Sequence, residues 1–264
     1  MSWRHTQNFL RSPGLTRALV ARSSIGPDDL VVDLGAGKGA IAAALVERCR
    51  RVIAVEIDPR LVAGLERRFS GVTGVEVRRA DARTMEPPTE PYKLFANIPF
   101  DATAAIMRRW FDGTPPPTDA YLILQREAAA KHLGLGRSTA VGMGRQPWFE
   151  MQRVRDLRRS DFTPPPSVDC VLARLRLRGE PLLDRGAAGD FRAFLRFGFA
   201  EGGRAVRHRF RGVFGRREFA RLAHDAGFAR DARCVELSVE HWLWLFRRFE
   251  GIGEASRRRA VLGR

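Results

Sequence analysis

The sequence predicts an α/β protein, a mostly parallel sheet with helices on both faces, followed by a small helical domain. Three observations predict it. A β-branched run at 30–34 enters a turn with glycines at alternate positions, Gly35, Gly37 and Gly39, and a helical pattern leaves it with Ile41, Leu45 and Val46 on one side. Strand patterns at 51–57, 75–79 and 92–96 follow, the first with a helical pattern on either side, as parallel βαβ units require. From about residue 183 the pattern changes to short helices. The boundaries expected are 1–180 for the α/β domain, 181–250 for the helical domain, and 251–264 for a basic tail without order.

A chain of 264 residues is long enough for one large domain and one small one. Its net charge of +16 is the unusual property. The chain carries +8 on each side of residue 180, although the second part is less than half as long as the first. Denser positive charge toward the C-terminus favours a polyanionic partner, most simply nucleic acid. Arginine supplies nearly all of it, the lysines being Lys38, Lys93 and Lys131. Cys49, Cys170 and Cys234 are odd in number and far apart, with no C-x-x-C pair, and the five histidines form no H-E-x-x-H. Neither a disulfide framework nor a metal site is expected. No run resembles a signal peptide or approaches the roughly 20 residues of a membrane span, so the expected location is cytoplasmic, without a membrane partner.

The elements follow in order. Residues 1–12 are polar and basic, with Gln7 and Asn8 as candidate cofactor ligands and Phe9 and Leu10 as apolar anchors ahead of a helix at 15–20. Gly26-Pro27-Asp28-Asp29 is a turn before the first long strand. The glycine turn that follows is G-x-G-x-G. It is neither a phosphate-cradling P-loop, which needs Ser or Thr where Ala40 stands, nor the G-x-G-x-x-G of dinucleotide-binding folds. The strand at 51–57 carries Glu56, 17 residues after Gly39, where a carboxylate can accept hydrogen bonds from both ribose hydroxyls of a nucleoside. Asp58-Pro59 suits the cap and first turn of the next helix. The strand at 75–79 leads to Asp81 and Ala82, and the Asp81 carboxylate can accept an exocyclic amine of a base.

The strand at 92–96 delivers Asn97-Ile98-Pro99-Phe100. Pro99 fixes the backbone and biases Ile98 toward an extended conformation, which aims the Asn97 side-chain oxygen and the Ile98 carbonyl outward. Phe100 adds a flat face for a base. Two acceptors and a stacking face suit the amino group of a flipped base. A helix over 102–111, a triple-proline break at 115–117, a strand at 120–124 and a helix at 125–132 come next, then a glycine-rich connection at 134–144. The strand at 148–157 bears Arg153 and Arg155, and the strand at 168–177 closes the sheet. Phe191, Phe194, Leu195 and Phe199 fit a helical core, as do Trp242, Leu243, Leu245, Phe246 and Phe249 after the capping Ser238. Arg204, Arg207, Arg209 and Arg211 are candidates for RNA phosphates together with Arg153 and Arg155.

Gln7-Asn8-Phe9-Leu10, Asp33-x-Gly-x-Gly-x-Gly39, Glu56, Asp81-Ala82 and Asn97-Ile98-Pro99-Phe100, in this order and spacing, resemble the rRNA adenine N6-methyltransferases. The first glycine motif alone looks like that of S-adenosylmethionine (SAM)-dependent methyltransferases. The chain most resembles the macrolide-resistance (Erm-type) 23S rRNA enzymes, over roughly residues 3–180. The resemblance implies a SAM-dependent methyltransferase (Rossmann-like) sheet and a SAM cofactor leaving as S-adenosylhomocysteine. It also implies transfer to N6 of an adenine in 23S rRNA by a monomer, and resistance to macrolide-type antibiotics. It places Asn8, Leu10, Gly35, Gly37, Glu56, Asp81, Ala82 and Asn97 around the cofactor, and Asn97, Ile98, Pro99 and Phe100 at the target base. Phe162, in Phe162-Thr163-Pro164-Pro165-Pro166-Ser167-Val168, resembles the aromatic of the family's F-x-P-x-P-x-V stretch, which implies a second face of a clamp on the adenine. Phe100 stands where many relatives carry Tyr, so stacking is kept and a hydroxyl is lost. Two alternatives stand beside this reading: a KsgA-type 16S rRNA adenine dimethyltransferase, and a catalytically silent nucleic-acid-binding protein on the same fold.

Overall fold

In a computed structural model, residues 8–135, 138–200 and 204–263 are described; Gln7 lies outside them. The chain divides into two units, 1–129 with 150–177, and 130–149 with 178–264.

The first unit is built on a sheet of β2 (Leu30–Leu34), β3 (Arg51–Glu56), β4 (Val75–Arg79), β5 (Lys93–Asn97), β6 (Asp119–Gln125), β7 (Phe149–Leu157) and β9 (Cys170–Leu177). The order is β4-β3-β2-β5-β6-β9-β7. The strands from β4 to β6 pair in parallel, and β9 runs antiparallel to β6. The order reverses between β2, which pairs with both β3 and β5, and this is where an open parallel sheet leaves a crevice at its strand ends. Val31, Val32 and Leu34 are fully buried, as expected for a central strand covered on both faces. Phe95 of β5 and Tyr121 of β6 stack with ring centroids 5.9 Å apart.

The connecting helices start where their residues direct. In α1 (Pro13–Val20) the Ser12 hydroxyl caps the helix by accepting from the Leu15 N–H at 3.4 Å. In α3 (Pro59–Arg68) Asp58 Oδ1 accepts from the Arg60 N–H at 2.8 Å, and Pro59 occupies the first turn. Between them, α2 (Ala40–Val46) begins directly at the glycine turn, with Gly39 in the left-handed region at its cap. The helix α4 (Thr103–Phe111) follows β5. A two-stranded ladder joins the chain ends of this unit: β1 (Phe9–Leu10) pairs antiparallel with β8 (Phe162–Thr163), Leu10 opposite Phe162.

The second unit is helical: α6 (Ala140–Met143), α7 (Ala188–Phe199), α8 (Val206–Arg209), α9 (Arg216–Ala226), α10 (Val239–Glu250) and α11 (Ala255–Leu262). The helix α5 (Arg126–Leu133) spans the division. Phe194 is its centre, with ring centroids of Phe210, Phe249, Phe246 and Trp242 at 4.8 to 6.1 Å. The aromatics of α7 and α10 therefore form a core, not a stacking platform.

Two boundaries differ from expectation. Residues 130–149 go with the helical unit, because Pro147 and Trp148 accept the Leu182 and Arg178 N–H groups and the Trp148 indole donates to the Leu183 carbonyl. The tail at 251–264, expected to lack order, contains α11. Val261 is 6% exposed within it, and Arg257 Nη1 donates to the Val213 carbonyl at 3.3 Å, so one apolar anchor and one charged stem hold a segment that composition alone reads as a solvated tail.

Candidate active site

Four strand ends and one short ladder converge on one cavity in the first unit. Asn8 and Phe9, Gly35 and Gly37, Glu56 and Ile57, Asp81 to Arg83, and Asn97 to Phe100 all line it.

The glycine turn forms its floor. Gly35 and Gly37 have φ of +71° and +57°, a region in which an L side chain is strained. At Gly37 space is a second reason, since a Cβ there would stand 2.7 Å from the Phe9 ring. The backbone is thereby bare where a ligand approaches it.

Glu56 is 3% exposed at the end of β3. Its Oε2 accepts the Gly37 N–H at 2.9 Å, and its Oε1 accepts those of Ile57 and Asp58 at 2.8 and 3.0 Å. Three backbone donors fix a carboxylate that has about four acceptor positions, which leaves capacity for a ribose hydroxyl. Beside it Asp33 on β2 is completely buried, and neither of its oxygens makes a hydrogen bond. Burial raises its pKa to about 8; the nearby Ala42 N–H offsets part of that without meeting hydrogen-bond geometry, and the Glu56 carboxylate adds to it.

Asp81 accepts from the Arg83 side chain through Nε at 2.9 and 3.0 Å and Nη2 at 2.6 Å, and from the Arg83 N–H at 2.9 Å. That guanidinium holds its carboxyl below the usual carboxylate range. The adjoining loop is tied down by Trp110 of α4, whose indole donates to the Ala82 carbonyl at 2.7 Å.

Asn97 ends β5. Its Nδ2 donates to the Asn8 carbonyl at 2.6 Å. This bond fixes which way the amide faces and leaves Oδ1 as an acceptor. The Pro99 and Phe100 carbonyls are already engaged by the Thr103 hydroxyl, whereas among the described residues no donor reaches the Ile98 carbonyl. Phe100 is half-buried at the cavity wall.

Most of the residues expected from the sequence are thus gathered here. Leu10 is not: it packs on the core behind the cavity. Phe162 does not line the cavity either. Its side chain is 2% exposed and packed with the buried cluster that includes Leu19, Ala36 and Tyr121, and it borders a separate groove with Arg11 and Arg158. Pairing of β8 with β1 turned it inward. Phe9, Ile57, Arg83 and Ile106 line the cavity without having been assigned to the cofactor or the base. Ile57 was within reach of sequence reasoning, since the residue after a strand-end carboxylate faces the same ligand.

None of the expected RNA-binding arginines lines the cavity. Arg153 is spent on Asp156, and Arg155 is half-buried on the same strand. In the second unit Arg204, His208, Arg209 and Arg211 surround a polar pocket, and the Arg209 guanidinium lies 3.9 Å from the Phe197 ring centroid and donates to the Phe197 carbonyl. Arg207 has its Nε buried without a partner. Among the described residues no three His, Cys, Asp or Glu side chains converge as metal ligands, and no helix is long and apolar enough to cross a membrane.

Residues 2–250 match the family model described as ribosomal RNA adenine dimethylase. An rRNA adenine N-6-methyltransferase from Aeromicrobium erythreum is 35% identical over 93% of this chain and 72% of its own length. The mycinamicin-resistance protein MyrB of Micromonospora griseorubida is 32% identical over 94% of this chain and 78% of its own. The ribosomal RNA small subunit methyltransferase A of Dehalococcoides mccartyi is 26% identical over 93% and 87%. Among solved structures, the 23S rRNA methyltransferase ErmE superposes with a TM-score of 0.82 at 33% identity, covering 92% of this chain and all of that one.

Proposed function

The chain belongs to the ribosomal RNA adenine dimethylase family and is a SAM-dependent rRNA (adenine-N6-)methyltransferase. From that premise we propose that its substrate is an adenine of 23S rRNA and that its action confers resistance to macrolide-type antibiotics. Supporting the 23S reading are the 35% identity to the Aeromicrobium erythreum enzyme, against 26% to the small-subunit enzyme, and the ErmE superposition. We also propose that it acts as a monomer: among the described residues the exposed large apolar side chains are only Val72, Val141 and Trp244.

The cavity fits SAM. The Glu56 carboxylate, held by three N–H groups, takes the ribose hydroxyls; Asp81 takes the adenine amine; Ile57 lies against the ring; the bare backbone at Gly35 and Gly37 admits the amino-acid part beside Asn8. When bound, SAM supplies an electrophilic methyl on a sulfonium. The protein's part is to hold the acceptor. Asn97 Oδ1 and the Ile98 carbonyl accept the two hydrogens of the target amine and favour a pyramidal nitrogen, whose lone pair is then drawn out of the ring. Phe100 stacks on the base. Orientation supplies much of the rate. The amine proton becomes acidic only once nitrogen carries the methyl, so it leaves to water and no general base is needed first.

The observation that carries this reading is the Asn8–Asn97 bond, which leaves Oδ1 as an acceptor on the residue that lines the cavity beside Phe100. Its test is primer extension on 23S and 16S rRNA from cells expressing the chain, beside a macrolide growth assay. A new stop at one 23S adenine with resistance is expected. A 16S stop without resistance would move the enzyme to the small-subunit reaction. Asn97→Ala should lower methyl transfer by ~100-fold or more, the scale of losing one well-placed polar group, with SAM binding retained within a few-fold. Full activity in that variant would remove Asn97 from the mechanism.

A further inference from the structure

Beside the cavity, on the same unit, lies an open groove edged by Arg11, Arg158 and Arg159, with Thr163, Pro165 and Asp169 along it. We propose that this groove holds phosphates of the RNA strand that delivers the target adenine. The inference rests on the rRNA reading above and adds the surface that sets where that RNA lies.

The first argument is rigidity. Phosphate contacts fix register and orientation, and they can do so only if they are tied to the pocket that receives the base. Here they are tied through one short ladder. Asn8 lines the cavity and orients Asn97; Phe9 and Leu10 form β1; Arg11 comes next, its N–H donating to the Asp161 carbonyl at 2.8 Å. Three residues of extended chain cover about 10 Å. A stacked strand covers that in about three nucleotides at ~3.4 Å each. A phosphate at Arg11 is therefore a near neighbour of the flipped base. On the other strand of the ladder, β8 follows Arg158 and Arg159 by only a few residues.

The second argument is charge. Arg11, Arg158 and Arg159 are exposed, and among the described residues no carboxylate forms an ion pair with any of them. Arg159 is anchored at one corner, its Nε donating to the Pro166 carbonyl at 2.8 Å. The acid along the groove, Asp169, faces Arg126 at 3.8 Å, and the Asp161 carboxylate is taken by the Arg158 N–H at 2.8 Å. The groove keeps a positive excess that no carboxylate among the described residues neutralises by an ion pair. Arg153 and Arg209, by contrast, are occupied by Asp156 and Phe197.

The test uses the full chain and a short RNA fragment around the adenine at which primer extension stops. RNA affinity is measured across ~50 to ~200 mM salt for wild type, Arg11→Ala, Arg158→Ala and the double variant. Each substitution should weaken binding several-fold at low salt and flatten the slope of log K against log[salt] by about 0.7 to 0.9. The KM for RNA should rise, and Arg158→Lys should restore the slope. SAM affinity, measured on the same preparations, should stay unchanged because neither residue lines the cavity; it also reports that the variants are folded. A double variant with wild-type affinity and slope, in an enzyme that methylates the RNA, overturns the groove alone. A wild type that binds SAM but methylates no rRNA overturns the RNA reading and the groove with it.

Discussion

At the scale of single residues, two carboxylates in the same unit show opposite problems. Asp81 has too many donors for its proposed task. Three Arg83 N–H groups make four contacts to its two oxygens, so an adenine amine competes with that guanidinium for them. Arg83→Ala should tighten SAM binding a few-fold at low salt, and the gain should fade as salt screens the pair. Isothermal titration in the Asp81→Asn background, where the substitution should change nothing, separates competition from packing. Asp33 has too few donors. Its carboxyl is raised to about 8 by burial, against 3.8 for the ordinary group. Between those values the unfolded chain has lost the proton that the folded chain keeps, so stability falls as pH rises from about 4 toward 8, and is flat above. Asp33→Asn should abolish that slope and leave the variant the more stable form near pH 8. Urea midpoints at pH 5, 7 and 8.5 measure it; a wild-type midpoint that rises over this range would show that Asp33 is ionised in the fold.

At the scale of elements, the strand–turn–helix at 30–46 links fold and site. Its turn was legible because three glycines at alternate positions have few uses besides positive φ and close approach. Gly37→Ala should cost ~1–2 kcal/mol for the left-handed backbone alone. It should also push the Phe9 ring off the turn, weakening SAM binding beyond what the stability loss explains. Thermal unfolding with and without SAM separates the two effects. The strands from 30 to 125 were legible for a related reason: most are short β-branched or apolar runs, a local pattern. Glu56, Asp81 and Asn97 could be placed because a strand end in a parallel sheet has one crevice to face. Phe162 could not. Whether a loop aromatic faces in or out depends on the pairing of β8 with β1, about 150 residues away, and no local pattern records that. Arg83 was illegible too, since only the fold shows which carboxylate a surface arginine reaches.

At the scale of the whole molecule, composition indicated the kind of partner but not which arginines the fold engages internally. The denser charge after residue 180 pointed to the C-terminal part, yet several of its arginines serve the helical unit internally, through Phe197, Val213 and Glu218. The last segment is the clearest case. Residues 254–264 hold four arginines and one glutamate, which reads as a tail for phosphates. In the fold, Glu254 pairs with Arg257 at 2.6 Å, Arg257 reaches the Val213 carbonyl, and Val261 is buried. The two roles make different predictions for a chain ending at Gly253. If the segment only attracts RNA, truncation flattens the salt dependence of RNA binding and leaves thermal stability alone. The packing predicts the reverse weighting. Burying one valine side chain is worth ~1.5–3 kcal/mol, so the truncated chain should unfold a few degrees earlier, with loss of helical signal from the second unit. Val261→Ala, which removes the anchor and none of the charge, should reproduce most of that shift while RNA binding keeps its wild-type slope. An unchanged melting temperature in both variants would return the segment to the role its charge suggests.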